Sequence, residues 1–418
     1  IYTLWHTLSL HDAPPISSAG DDWSRDWVPT HFHVQSIGQG LEPEVLASDE
    51  WFGYPYAGDE LDFPEGNNVT DVPSLYIGRI PCNSPEEFAR VLTKIQQVES
   101  DDGNQPWRRR GLFISDDAWS SGTLNAEGFT LAFRRTEVAF EQSENEVLAQ
   151  AWLNNAGMVP LTPDTVMLRP FMEPLHPDED DVVTLSEARA FCQESDATEV
   201  LVNAFNAGGT LAHYQGHANH WLFAHESWFV DDRRSNYRTD VDLLTNVGRP
   251  WLFCGMGCHL GDFIQNVAGG ATAVDPNLGE KFLVWSDGGS VATYGSSGYE
   301  FLSSNRLLSE LFIQNFMIDP PVVAADGQAI STRWMLGEIM WRAEKDVLAA
   351  NQSSNSRAMV YQYTILGDPL LQLDAGPPVV EALLEGSGPL APEGETELVA
   401  VDATNQRVIT LQARDEAG

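Results

Sequence analysis

Two stretches decide the reading of this chain: TLAHYQGHANHW at residues 210–221 and WLFCGMGCHLGDF at residues 251–263. Each opens with an apolar run of strand length and then breaks at glycines, with a reactive side chain directly behind the break. In the first, Thr210 to Tyr214 reads as the strand and Gly216-His217-Ala218 as the turn. In the second, Trp251 to Cys254 reads as the strand, Gly255 and Gly257 open the loop, and Cys258 precedes His259. Adjacent parallel strands ending in this way would bring an imidazole and a thiol into one crevice. That pair suits nucleophilic catalysis by a thiolate with a proton-donating partner. The glycines let backbone N–H groups approach a substrate carbonyl closely.

Working outward, short apolar runs alternate with helical patterns. Ser74 to Ile80 reads as a strand. Ser84 to Glu99 reads as an amphipathic helix, with Ser84 as its cap, Pro85 at its first position and Glu87 three residues past the cap. Arg110 to Ser115 is a further strand running into Asp116 and Asp117. Helices follow near Thr198 to Asn206, Phe301 to Phe316 and Arg333 to Ala349, and another strand at Ser290 to Tyr294. Strands separated by helices predict an α/β fold: a doubly wound, mostly parallel sheet with helices on both faces and its ligand site at the carboxyl ends of the strands.

The 418 residues carry 23 basic against 61 acidic side chains, a net charge of −38, and 43% are apolar. Such a field excludes nucleic acid and anionic membrane surfaces as natural partners. Only Lys94, Lys281 and Lys345 are lysines, a pattern of salt-adapted or GC-rich bacterial sources. No apolar run approaches the roughly 18 residues of a membrane span. Four cysteines are too few for a disulfide framework.

Other chemistries are weaker. His213 and His217 are spaced like two zinc ligands, with Glu226 or His220 as a third, but Gly216 and the preceding strand break the helix such a pair requires. Gly295-Ser296-Ser297-Gly298 lacks the spacing of a serine nucleophile elbow. Cys254 reads as a small core hydrophobe. Asp262 reads as a loop hydrogen-bonding group, and His220, Trp221 and His225 as candidates for lining a substrate cleft.

Tyr214-Gln215-Gly216-His217 and Cys258-His259-Leu260-Gly261-Asp262-Phe263 resemble the histidine and cysteine blocks of the gingipain-type cysteine peptidases, family C25, which have a caspase-like fold. Asp26 to Thr30, Ala47 to Trp51, Tyr76 to Pro81 and Leu366-Gly367-Asp368-Pro369 agree in order, so the resemblance runs over residues 22–373. It implies that Cys258 is the nucleophile, that His217 is the acid–base partner, and that Asp117, with Asp116 as fallback, steadies the histidine. The backbone N–H groups of Cys258 and Ala218 would bind the oxyanion, although the family usually places glycine where Ala218 stands. It further implies polypeptide substrates, an extracellular or cell-surface bacterial location, no cofactor for the chemistry, and structural calcium. Ser48-Asp49-Glu50 and Gly58-Asp59-Glu60 are candidate calcium segments without diagnostic spacing.

The expected organisation is a non-native, adapter-like stretch at residues 1–17, a partial first α/β subdomain at 18–109 and a caspase-like catalytic subdomain at 110–374. The opening of a truncated immunoglobulin-like β domain follows at 375–418. Three functional classes fit: a general secreted endopeptidase, a sortase-like peptidase that removes C-terminal signals in a secretion system, and an inactive peptide-binding homologue.

Overall fold

The structure, a computed structural model, describes residues 9–10, 31–35, 44–49, 75–82, 84–100, 105–121, 132–135, 140, 162–176, 183–233, 238–263, 276–317, 322–323, 329–331, 334–351, 353–373, 396–401 and 406–411. Its central strands pair into one six-stranded sheet built from β1 (Arg110–Ser115), β2 (Thr162–Met167), β3 (Leu211–Gln215), β4 (Trp251–Met256), β5 (Ser290–Ser296) and β6 (Tyr363–Leu366). The spatial order is β6-β5-β4-β3-β1-β2, parallel throughout except for the antiparallel β5–β6 edge. Every residue of β3, β4 and β5 is buried, as expected for strands covered on both faces.

The helices are α1 (Pro85–Ser100), α2 (Leu185–Glu194), α3 (Ala197–Asn206), α4 (Leu278–Val284), α5 (Leu302–Met317), α6 (Leu336–Ala350) and α7 (Ser354–Gln362). Strand side chains alternate between two cores with period two. Leu112, Ile114, Ala212, Tyr214 and Phe253 join the core that packs α2 and α3. Phe113, Leu211, Leu252, Cys254 and Met256 join the core that packs α1, α5 and α6. Helices therefore cover both faces, which leaves the carboxyl ends of β3 and β4 to carry the site.

Local chemistry starts the helices where backbone N–H groups need partners. Glu87 N–H donates to Ser84 Oγ at 3.1 Å, so the expected cap of α1 is in place. Thr184 with Glu187 and Asn277 with Glu280 form reciprocal capping boxes on α2 and α4. Ser74 to Ile80 departs from expectation. Ser74 lies outside the described residues, residues 76–78 are in no strand, and Arg79 makes a single bridge to Leu366 before a short strand at Pro81–Cys82.

The cause of that departure is packing against the 365–369 segment. Arg79 N–H donates to the Ile365 carbonyl at 2.8 Å, and Gly367 N–H donates to the Arg79 carbonyl at 2.7 Å. A Cβ on Gly78 would lie 2.7 Å from the Gly367 carbonyl oxygen, so the chain has room only for glycine there. The Arg79 guanidinium grips buried Asp49 through two bonds and lies 4.5 Å over the Phe263 ring, in the loop that carries Cys258. Three of the separated motifs thus form one buttress behind that loop.

Residues 26–30, 50–51, 58–60 and 376–378 lie outside the described residues, and of residues 1–17 only Ser9–Leu10 are described, paired in parallel with Pro81–Cys82. Near the other end, residues Thr396–Val401 and Gln406–Leu411 form an antiparallel pair. Among the described residues no helix is long and apolar enough to cross a membrane.

Candidate active site

The register of the sheet brings the two sequence blocks together. Gln215 pairs with Met256 in parallel, so His217 and Cys258 each lie two residues beyond the same rung. The loops touch directly. A Cβ on Gly257 would lie 2.8 Å from the Gly216 carbonyl oxygen and 2.9 Å from Ala218 Cβ, and a Cβ on Gly216 would lie 2.3 Å from Asp116 Cβ. Side chains at either glycine would push the loops apart.

His217 is held from both sides of its backbone. Its N–H donates to Asp116 Oδ2 at 2.8 Å, and its carbonyl accepts from the buried Tyr214 hydroxyl at 2.6 Å and from Ala224 N–H at 2.7 Å. The imidazole Nε2 lies 3.1 Å from Ser120 Oγ. The ring stacks on His225 at 4.0 Å and meets the Phe140 ring edge-on at 5.4 Å. Burial pushes His217 down to about 4 and, with help from His217 and Arg189, pushes His225 down to about 3. Both imidazoles are therefore neutral in the folded protein at neutral pH.

Cys258 is half-buried, whereas Cys82, Cys192 and Cys254 are fully covered. Its sulfur accepts the Glu300 backbone N–H at 3.3 Å, a contact that favours the thiolate. Burial first, then nearby carboxylates, pushes the Cys82 and Cys192 thiols up to about 12. His259, next in the chain, holds φ at 61°, the left-handed region that residues other than glycine seldom adopt. Its N–H is tied to the Gly298 carbonyl at 3.0 Å.

The acidic residues divide their work. Asp116 accepts the N–H groups of Asp117 and His217, each at 2.8 Å, while Asp117 Oδ1 accepts Trp119 N–H at 2.8 Å. Among the described residues the hydrogen-bond partner of the His217 ring is Ser120, and no carboxylate bonds that ring. Glu226 is fully buried beside both aspartates, with the ligand atoms of the three within 4.8 Å of one another. Burial, then Asp117 and Asp116, pushes Glu226 well above the usual carboxylate range. A hard cation would take Asp117 and Glu226 as ligands there, and the catalytic steps do not pass through this group. Asp49, from the candidate calcium segment at 48–50, is already committed to Arg79.

The model of peptidase family C25 matches residues 15–374. The chain belongs to peptidase family C25. Family C25 comprises cysteine-type endopeptidases, and the fold agrees. Gingipain R, described as an Arg-specific cysteine proteinase, superposes with a TM-score of 0.52 at 17% identity, over 81% of this chain and 61% of that one. The complex of the RgpB pro- and mature domains from Porphyromonas gingivalis gives 0.52 at 18% identity, over 81% and 62%. This C25 chain thus spans about three fifths of the length of those structures. No curated protein matches its sequence.

At this candidate site, the structure puts His217 and Cys258 on touching loops, Ala218 against the Gly257 position, and Asp116 and Asp117 at the end of the neighbouring β1. His220 and Trp221 stack on each other at 5.0 Å, and His220 reaches Asp262 rather than standing alone. Sequence reasoning missed Ser120, Phe140 and the role of Tyr214. The first two lie far from His217 in the chain and carry no motif. Tyr214, a hydroxyl-bearing residue between His213 and Gln215 in a fully buried strand, was the one available signal.

Proposed function

We propose that this C25 chain is a cysteine endopeptidase that hydrolyses peptide bonds through Cys258 and His217. The observation that carries the reading is the parallel Gln215–Met256 rung, which brings both residues to equivalent positions on touching loops. His217, neutral at rest because burial lowers it to about 4, accepts the Cys258 proton as Sγ attacks the scissile carbonyl carbon. The oxyanion that forms takes the backbone N–H groups of Cys258 and Ala218. Collapse breaks the C–N bond, and the His217 imidazolium delivers its proton to the departing amine, leaving a thioester on Cys258. Water then attacks the thioester, giving a proton to His217, and the sulfur leaves and recovers that proton.

Asp116 acts in this scheme as a positioning residue through the His217 backbone, and Asp117 orders the turn that carries Ser120 toward the ring. Thiol and imidazole supply the nucleophile and the acid, so the chemistry requires no cofactor. Substrates are polypeptides, in keeping with a strongly acidic surface that repels nucleic acid. The setting is extracellular or at a bacterial cell surface. In this reading residues 18–109 belong to a first α/β subdomain, 110–374 to the catalytic subdomain and 375–418 to an immunoglobulin-like domain.

The test is a positional-scanning fluorogenic peptide library applied to the protein and to its Cys258→Ala and His217→Ala variants. Cleavage lost in both variants supports the dyad and reveals the residue accepted before the scissile bond. Capture of the acyl group by added amines in preference to water would redirect the reading to a sortase-like transpeptidase. A folded protein that cleaves nothing and resists alkylation would redirect it to a peptide-binding homologue.

A further inference from the structure

A second cluster lies on the same two loops, with His220 three residues after His217 and His259 next to Cys258. His220 Nε2 lies 2.8 Å from Asp262 Oδ2, and His259 Nδ1 lies 3.8 Å from the same oxygen. The three ligand atoms fall within 4.8 Å of one another. The two imidazoles stack at 4.5 Å and 18°, each presenting a ring nitrogen to that one carboxylate oxygen. The side chains keep 18%, 10% and 11% of their surface exposed for His220, His259 and Asp262, so the cluster is sheltered yet reachable from solvent.

Its frame is independently fixed. The His220 carbonyl accepts Leu278 N–H at 2.8 Å, His259 N–H is tied to Gly298, and the Asp262 carbonyl accepts from the Asn277 side chain. The Tyr299 ring meets His259 edge-on at 4.8 Å.

We propose that His220, His259 and Asp262 form a binding site for a zinc-type divalent cation. Two imidazole nitrogens and one carboxylate oxygen match the donor chemistry of zinc rather than that of calcium or magnesium, which take oxygen. Tetrahedral zinc with bonds of about 2.0–2.1 Å sets its ligand atoms about 3.3 Å apart. The observed 2.8 and 3.8 Å lie on either side of that spacing, so small ring rotations that open the imidazole stack seat the ion. Three protein ligands leave a fourth position for water. The ion would link the segment following His217 to the loop that holds Cys258, and its binding would reversibly suppress the peptidase. Only that last consequence rests on the function proposed above.

The test separates the two. Zinc is titrated into the Cys258→Ala protein, which has no dyad thiol to compete, against a chromophoric chelator. The expected result is one zinc per chain, with affinity at least ~100-fold weaker in Cys258→Ala chains that also carry His220→Gln or His259→Asn. That loss exceeds the 10–100-fold cost of removing a group that merely supports a ligand. Asparagine is chosen at 259 because it tolerates the positive φ. Cobalt in place of zinc should give the visible absorption of a four-coordinate site, lost in both variants. Failure of the Cys258→Ala protein to bind zinc, or binding unchanged by both substitutions, would overturn the proposal whatever the peptidase assay shows. In the otherwise wild-type enzyme, His220→Gln should raise the zinc concentration needed to halve the activity by at least ~10-fold.

Discussion

Replacing Asp116 by asparagine should damage the site more than the same change at Asp117. Asp116 uses both carboxylate oxygens on backbone donors, the N–H groups of Asp117 and His217, each at 2.8 Å. An amide offers one acceptor oxygen, so one N–H must face an NH2 group. A hydrogen bond to a charged acceptor contributes about 1.5–3 kcal/mol. Removing one charge from the Asp116, Asp117 and Glu226 cluster returns part of that. The net cost should be about 1–3 kcal/mol. Falling on the His217 backbone, it corresponds to a loss of roughly 5–150-fold in kcat/KM. Asp117→Asn relieves the same repulsion, while its remaining amide oxygen can still accept Trp119 N–H, so its effect should stay below about 1 kcal/mol. Denaturant unfolding together with kcat/KM on both variants measures the two costs. An Asp116→Asn enzyme as active as wild type beside an inactivated Asp117→Asn enzyme would refute the reasoning and make Asp117 the residue that orients the histidine.

Iodoacetamide at neutral pH should label Cys258 while leaving Cys82, Cys192 and Cys254 unmodified until the protein unfolds, since only Cys258 is exposed in part; peptide mass spectrometry reads the order. His217 and His225 sit at about 4 and about 3 in the fold, against about 6.5 in an unfolded chain, so the unfolded state binds more protons below pH 6.5. Stability should therefore fall as pH drops from about 6.5 toward 4, and His225→Phe should flatten that slope. Thermal unfolding between pH 6.5 and 5 checks this, and a wild-type Tm flat over that window would contradict it. Thr184→Ala, which removes the cap of α2, should cost about 1 kcal/mol of stability and leave kcat/KM unchanged, since α2 carries no site residue.

The central strands were legible because parallel strands buried on both faces read as uninterrupted apolar runs, and the Gly-His and Gly-Cys turns marked their ends. The cap at Ser84 was equally readable. β2, with Pro163 and Asp164 in its run, was missed because an edge strand need not be apolar; Asp164 instead pairs with Arg110 on β1. Ser74 to Ile80 has strand composition, yet its backbone is claimed by Ile365 and Gly367, a contact with no local trace. The same holds within the site. Ser120 and Phe140 reach His217 across loops whose geometry only the fold determines.

The central claim is that peptide cleavage passes through a thioester on Cys258. Rapid acid quench of the enzyme with a slowly deacylated peptide ester, followed by mass spectrometry of the Cys258 peptide, tests it most directly. The account predicts an acyl adduct on Cys258 that forms and decays with turnover and is absent in His217→Ala. Cleavage that persists in Cys258→Ala, or turnover without an adduct on this residue, would contradict it.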